Sequence, residues 1–95
     1  MPQVEVKFVF TQGQIVFSKH GRDMGRPFII FSIVDEYVYL VDGTLRKLEK
    51  PKKKKNKHVQ VTSYVDADMK HKLENNLYLL DADIRKALKV FMDNK

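Results

Sequence analysis

Ser18, His20 and Asp23 place a hydroxyl, an imidazole and a carboxylate within six residues, the side-chain types of a nucleophile, a base and an orienting acid. Such a triad is defined by geometry, and side chains this close along a loop rarely converge on the three roles. The histidines at 20, 58 and 71 are not spaced as metal ligands, and without cysteine no zinc ribbon or thiol chemistry is available. The segment KHGRDMGRP (19–27) lacks the Gly-Lys-Ser/Thr ending of a P-loop. The chemistry that remains is charge. Residues 46–58 hold eight Lys or Arg against one acid, Glu49, a net +7 in a chain whose total is +6. One segment therefore carries the whole excess, which makes it a basic patch on an otherwise near-neutral chain. The expectation is polyanion binding, with no catalytic residue, no metal, no cofactor and no small-molecule substrate.

Short strands must position that patch. QIVFS (14–18), FIIFSIV (28–34) and YVYLV (37–41) are brief apolar runs rich in β-branched and aromatic residues. Asp35-Glu36 and Asp42-Gly43 read as turns, the second as a two-residue hairpin returning through TLRKLE (44–49). The lysine run, 50–57, reads as a basic loop before HVQVT (58–62). Five strands in so short a span predict a small antiparallel barrel. Residues 1–12 read as an N-terminal strand or arm. Residues 63–95 predict a helical extension: Asp66 caps DADMKHKLENN (66–76), and Asp81 caps a helix whose stripe is Ile84, Ala87, Leu88, Phe91 and Met92. A barrel of this size is marginal alone, so the helices are expected to pack on an open face or edge. A 43% hydrophobic content suits one folded domain, and no apolar run is long enough for a membrane span. With no signal-peptide pattern at the start, the expected location is the cytoplasm.

A lysine run also suits a membrane surface, but no amphipathic helix or lipidation site adjoins this one. PKKKKNK resembles a nuclear import signal, yet it lies between strand patterns and not on a free tail. Nucleic acid is the favoured partner, because lysines neutralise phosphates by counterion release and read no sequence. The expected contacts are Lys50, Lys52, Lys53, Lys54, Lys55 and Lys57, flanked by Arg46, Lys47 and His58. Lys19, His20, Arg22 and Arg26 would add a second contact from the loop that Gly21 and Gly25 shape, glycines expected to need positive φ or a close approach. Six phosphate contacts would weaken binding by roughly two to three decades for a fourfold rise in salt. Tyr37 and Tyr39 point away from Val38 and Leu40; as stacking surfaces they compete with the commoner role of strand aromatics as core.

Residues 13–62, GQIVFSKHGRDMGRPFIIFSIVDEYVYLVDGTLRKLEKPKKKKNKHVQVT, resemble the KOW motif and its continuation. The likeness is to bacterial KOW-domain RNA-binding proteins related to the KOW-type large-subunit ribosomal proteins of archaea and eukaryotes. It is carried by Gly13 and the strand after it, the Gly21-Arg22-Asp23 turn with Gly25, the block from 41 to 55, and Lys57-His58. Met24 stands where the family often has lysine. The resemblance implies an SH3-like barrel that binds RNA, ribosomal RNA foremost, in association with the translation machinery and its ribosomal proteins. The rival expectation is a protein-interaction adaptor that docks through the barrel edge or the C-terminal helix.

Overall fold

A computed structural model describes residues 10–94. The predicted N-terminal arm falls almost wholly outside these residues. The strands are β1 (Gln14–Ser18), β2 (Pro27–Val34), β3 (Tyr37–Val41), β4 (Lys52–Lys55) and β5 (Val59–Val65), followed by helices α1 (Ala67–Glu74) and α2 (Asp81–Asp93). A 3₁₀ turn, Asn56–His58, joins β4 to β5. The five strands form one antiparallel sheet in the order β4-β3-β2-β1-β5.

The sheet is not a closed barrel, because β4 and β5 are its two edges and no ladder joins them. It is nonetheless strongly curled. The four peptide steps from Lys55 to Val59 reach at most about 14 Å, whereas the outer strands of a flat five-stranded sheet lie roughly 19 Å apart. The curl encloses Val16, Phe28, Ile30, Val38, Leu40 and Val59. The opposite face presents Ile15, Ile29 and Val41 to Met69 and Leu73 of α1 and to Ile84, Ala87 and Leu88 of α2. Strands buried on both faces read as continuous apolar runs, which is why FIIF shows no alternation. The expected packing of the helices on a sheet face is what the structure has. They cover the β5-β1-β2 side, where Phe91 meets Phe17 and Tyr64 at ring separations of 6.1 and 5.2 Å.

Gly13 permits the approach of α1. Its φ is +84°, and a Cβ there would stand 2.8 Å from the backbone nitrogen of Lys70. Asp66 caps α1 as expected, accepting from the Met69 N–H at 3.0 Å. At α2 the cap differs. Asp83 accepts the Leu80 N–H, while the Asp81 carboxylate accepts from Leu48 in the loop before β4. Met92, expected in the apolar stripe, is exposed.

The Asp42-Gly43 hairpin is corrected. Residues 44–49 form no strand. The Asp42 carboxylate instead accepts the N–H groups of both Thr44 and Arg46, winding the chain into a tight loop. Leu48 then packs into the helical core, and Arg85 donates to the Gly43 carbonyl at 2.6 Å. These contacts with α2 lie outside any local window, and they outweigh the hairpin preference of two residues. The strand that pairs with β3 is the lysine run itself. The basic loop expected over 50–57 is therefore a strand followed by a turn, with Leu40 opposite Lys52 and Val38 opposite Lys54.

Candidate functional site

Residues across an antiparallel ladder share a face, so the β3–β4 register divides the lysines by direction. Lys52 and Lys54 follow Leu40 and Val38 toward the interior of the curl, and Lys53 and Lys55 follow Tyr39 and Tyr37 outward. Lys54 has only 7% of its side chain exposed, and Lys52 has 25%. Both converge on Asp23. The Lys54 ammonium donates to Asp23 Oδ1 at 2.8 Å and to the His20 carbonyl at 2.7 Å. Lys52 Nζ lies 2.9 Å from Asp23 Oδ2 as an ion pair, too oblique for a directed hydrogen bond. The Ser18 hydroxyl completes the group, donating to Asp23 Oδ1 at 2.8 Å. Burial pushes the Asp23 carboxyl upward, but the ammoniums of Lys54 and Lys52 and the Ser18 hydroxyl outweigh it and hold the group far below the usual carboxylate range.

This cluster ties the loop between β1 and β2 to β4, although those strands are not neighbours in the sheet. Gly21 and Gly25 both take positive φ, as expected, with the Gly25 N–H on the Ser18 carbonyl at 2.8 Å. The loop turns its acid inward and leaves Lys19, His20, Arg22, Met24 and Arg26 exposed. Of the three residues that spell a triad, Ser18 and Asp23 do meet. The His20 ring instead stacks on His58, with centroids 4.5 Å apart and planes 16° from parallel. Desolvation, reinforced by the charges of His20, Lys57, Lys54 and Lys55, lowers the His58 pKa below its ordinary 6.5.

A cleft of about 360 Å³ separates the glycine loop from the loop after β3. Arg22, Arg26, Arg46 and Lys52 line it with Asp23 and Asp42, and Phe28 and Leu45 supply its apolar wall. The half-exposed Arg26 approaches the buried Asp42 carboxylate at 3.8 Å, a long contact. Of the remaining expected cations, Lys19, Arg22, Lys47, Lys50, Lys53 and Lys57 are exposed, and Arg46, Lys55 and His58 are half-buried. Lys19, Arg22, Lys47, Lys50, Lys55 and Lys57 form no ion pair among the described residues. Lys53 lies over the Tyr37 ring, with its ammonium 4.2 Å from the centroid.

The structure thus brings Lys52 and Lys54 together with the glycine loop and divides the predicted cations between two tasks. Lys52 and Lys54 organise the site internally, while the others face outward. Sequence reasoning missed Asp23 as the organiser and Asp42 and Phe28 as cleft residues. One signal was present: Asp23 is the only acid between residues 13 and 34, set among four basic side chains, Lys19, His20, Arg22 and Arg26. Among the described residues no helix is long and apolar enough to cross a membrane. No protein-family model matches the chain, and no curated protein shows significant similarity to it.

Proposed function

We propose that the chain is a non-catalytic RNA-binding module of the SH3-like, KOW type, acting in the cytoplasm on ribosomal RNA or another RNA of the translation machinery. The observation that carries this reading is the set of outward lysines, with Arg22, that no protein carboxylate neutralises. Cations held on a rigid strand and a pinned loop lose little freedom on meeting phosphates, so counterion release appears as affinity. The curled five-stranded order, with a 3₁₀ turn between its edge strands, is compatible with an SH3-like barrel open along one seam. The family resemblance of residues 13–62 supplies the RNA.

The test is cosedimentation of the tagged protein with ribosomes from its own cells, at low and high salt. A variant with Lys50, Lys53, Lys55 and Lys57 changed to Gln is run alongside. Salt-sensitive association with the large subunit, lost in the variant, is the expected result. A fold unchanged by circular dichroism guards against trivial loss. Migration only in light fractions removes the ribosome from the reading, and absence of RNA from those fractions removes RNA.

A groove of about 430 Å³, lined by Phe31, Leu48, Leu77, Tyr78 and Leu79 among others, favours a second reading as a protein adaptor. Leu77, Tyr78 and Leu80 are exposed beside one another in the connection between the helices. An adaptor retains its partner in the lysine variant and loses it when Leu77 and Tyr78 are changed to Ser.

A further inference from the structure

The outer face of β3 and β4 has a composition that phosphate binding alone does not require. Tyr39 sits opposite Lys53 and Tyr37 opposite Lys55, so two rings and two ammoniums alternate across one small surface. On the other side of the same strand, Val38 and Leu40 are fully buried. The tyrosines therefore do not fill the curled core. Nor do they belong to the cluster beneath the helices, which on β3 ends at Val41. Both rings are half-buried, and Val34, opposite Tyr37 on β2, is 52% exposed. Above the Tyr37 ring stands the Lys53 ammonium at 4.2 Å, a flexible group that a flat ligand can displace.

We propose that Tyr37 and Tyr39 form a stacking platform for unpaired RNA bases, with Lys53 and Lys55 taking the adjoining phosphates. The proposal rests on the RNA-binding reading and adds the class of RNA. Side chains two apart on a strand stand roughly 6.5–7 Å apart, the scale of successive bases splayed along an extended backbone. A duplex keeps its base faces inside the stack and cannot use the rings, whereas a loop, bulge or single strand can. The acidic turn at Asp35 and Glu36 bounds the platform beyond Tyr37, so the RNA backbone leaves along the lysine side. The platform therefore gives the module a preference for unpaired segments, which phosphate contacts alone do not provide.

The experiment titrates the whole chain with a single-stranded oligoadenylate of twelve nucleotides and with a duplex of the same length, following RNA anisotropy and tyrosine fluorescence. The chain has four tyrosines and no tryptophan, so a chain carrying Tyr64→Phe and Tyr78→Phe emits from the two platform rings alone. The single strand is expected to quench the emission and to retain binding at salt that releases the duplex. Tyr37→Leu and Tyr39→Leu should each weaken single-strand binding by about fivefold to a hundredfold. They should leave the duplex unaffected, while Tyr39→Phe keeps wild-type affinity. Single-strand binding without quenching, or leucine variants that bind as well as wild type, overturns the platform and leaves RNA binding standing. Binding of neither RNA at low salt overturns both. Quenching measured on the chain whose only tyrosines are Tyr37 and Tyr39 decides the matter even where a leucine variant fails to fold.

Discussion

Asp23 holds two ammoniums and a serine hydroxyl, an arrangement stable only while all of them stay in place. Replacing it with Asn leaves Lys54 buried without its counter-charge, which is far costlier than losing a surface pair. Asp23→Asn is expected to lower stability by about 3–5 kcal/mol in urea unfolding. The pH dependence follows from the direction of the carboxyl's shift. Because the folded group binds its proton less readily than the unfolded one, its contribution is complete above the ordinary value of 3.8. It is lost as pH falls below that, toward the depressed folded value. Acid titration of the variant should lack this part of the slope. Gly13 and Gly25 give a second residue-scale contrast. Both hold positive φ, but a Cβ at Gly25 meets nothing within 4 Å, whereas at Gly13 it meets the backbone of α1. Gly25→Ala should cost about 1 kcal/mol and Gly13→Ala about 2–4 kcal/mol, by thermal or urea unfolding. Equal losses would show that α1 yields at no cost.

At the scale of the element, β4 is an edge strand made entirely of lysine. Edge strands invite pairing with other molecules, and lysine, including lysine pointing inward, is a common defence. The run therefore serves the fold as well as any ligand, and the two uses fall on alternate residues. Changing Lys53 and Lys55 to Gln should weaken RNA binding about tenfold, the loss of two phosphate contacts, with stability changed by less than about 0.5 kcal/mol. Changing Lys52 and Lys54 to Gln should do the opposite at first order. It strands the Asp23 carboxylate and lowers stability by about 2–4 kcal/mol, and RNA binding suffers only as the loop loosens. Parallel unfolding and binding curves for the two double variants check this. Identical behaviour of the two pairs would mean that the division by register has no energetic consequence.

For the whole molecule, the division alters the expected salt dependence. With Lys52 and Lys54 occupied internally, Lys50, Lys53, Lys55 and Lys57 remain of the six lysines expected to touch phosphate. Four contacts on single-stranded RNA give a slope of about −3 in log affinity against log salt, or 1.5–2 decades for a fourfold change. A slope near −4 or steeper would require the arginine cleft or Lys52 and Lys54 to join the interface. His58 adds a pH dependence. Desolvation first, and then repulsion from His20 and the lysines, lowers the His58 pKa, and a bound phosphate offsets the repulsion and favours the proton. On the proposed function, RNA binding would take up protons, and affinity should rise as pH is lowered from 7.5 to 5.5. His58→Gln should remove most of that rise while leaving affinity at pH 7.5 nearly unchanged.

The amino-acid sequence by itself determined the features that depend on near neighbours. These are the short apolar strands, the helix over Ala67–Glu74 with its Asp66 cap, the buried stripe of Ile84, Ala87 and Leu88, and the positive-φ glycines. It also determined that one segment carries the charge. Only the tertiary structure decided what the charge does. The Asp42-Gly43 signal lost to Leu48 and Arg85 because contacts with α2, some forty residues away along the chain, released more free energy than a local turn. The lysine run became a strand because β3 needed a partner, and pairing with β3 turned alternate lysines inward. No spacing within PKKKKNK reveals which lysines those are. The phase is set by the register with Val38 and Leu40, and by a carboxylate that the curl of the sheet brings from residue 23 to residue 54.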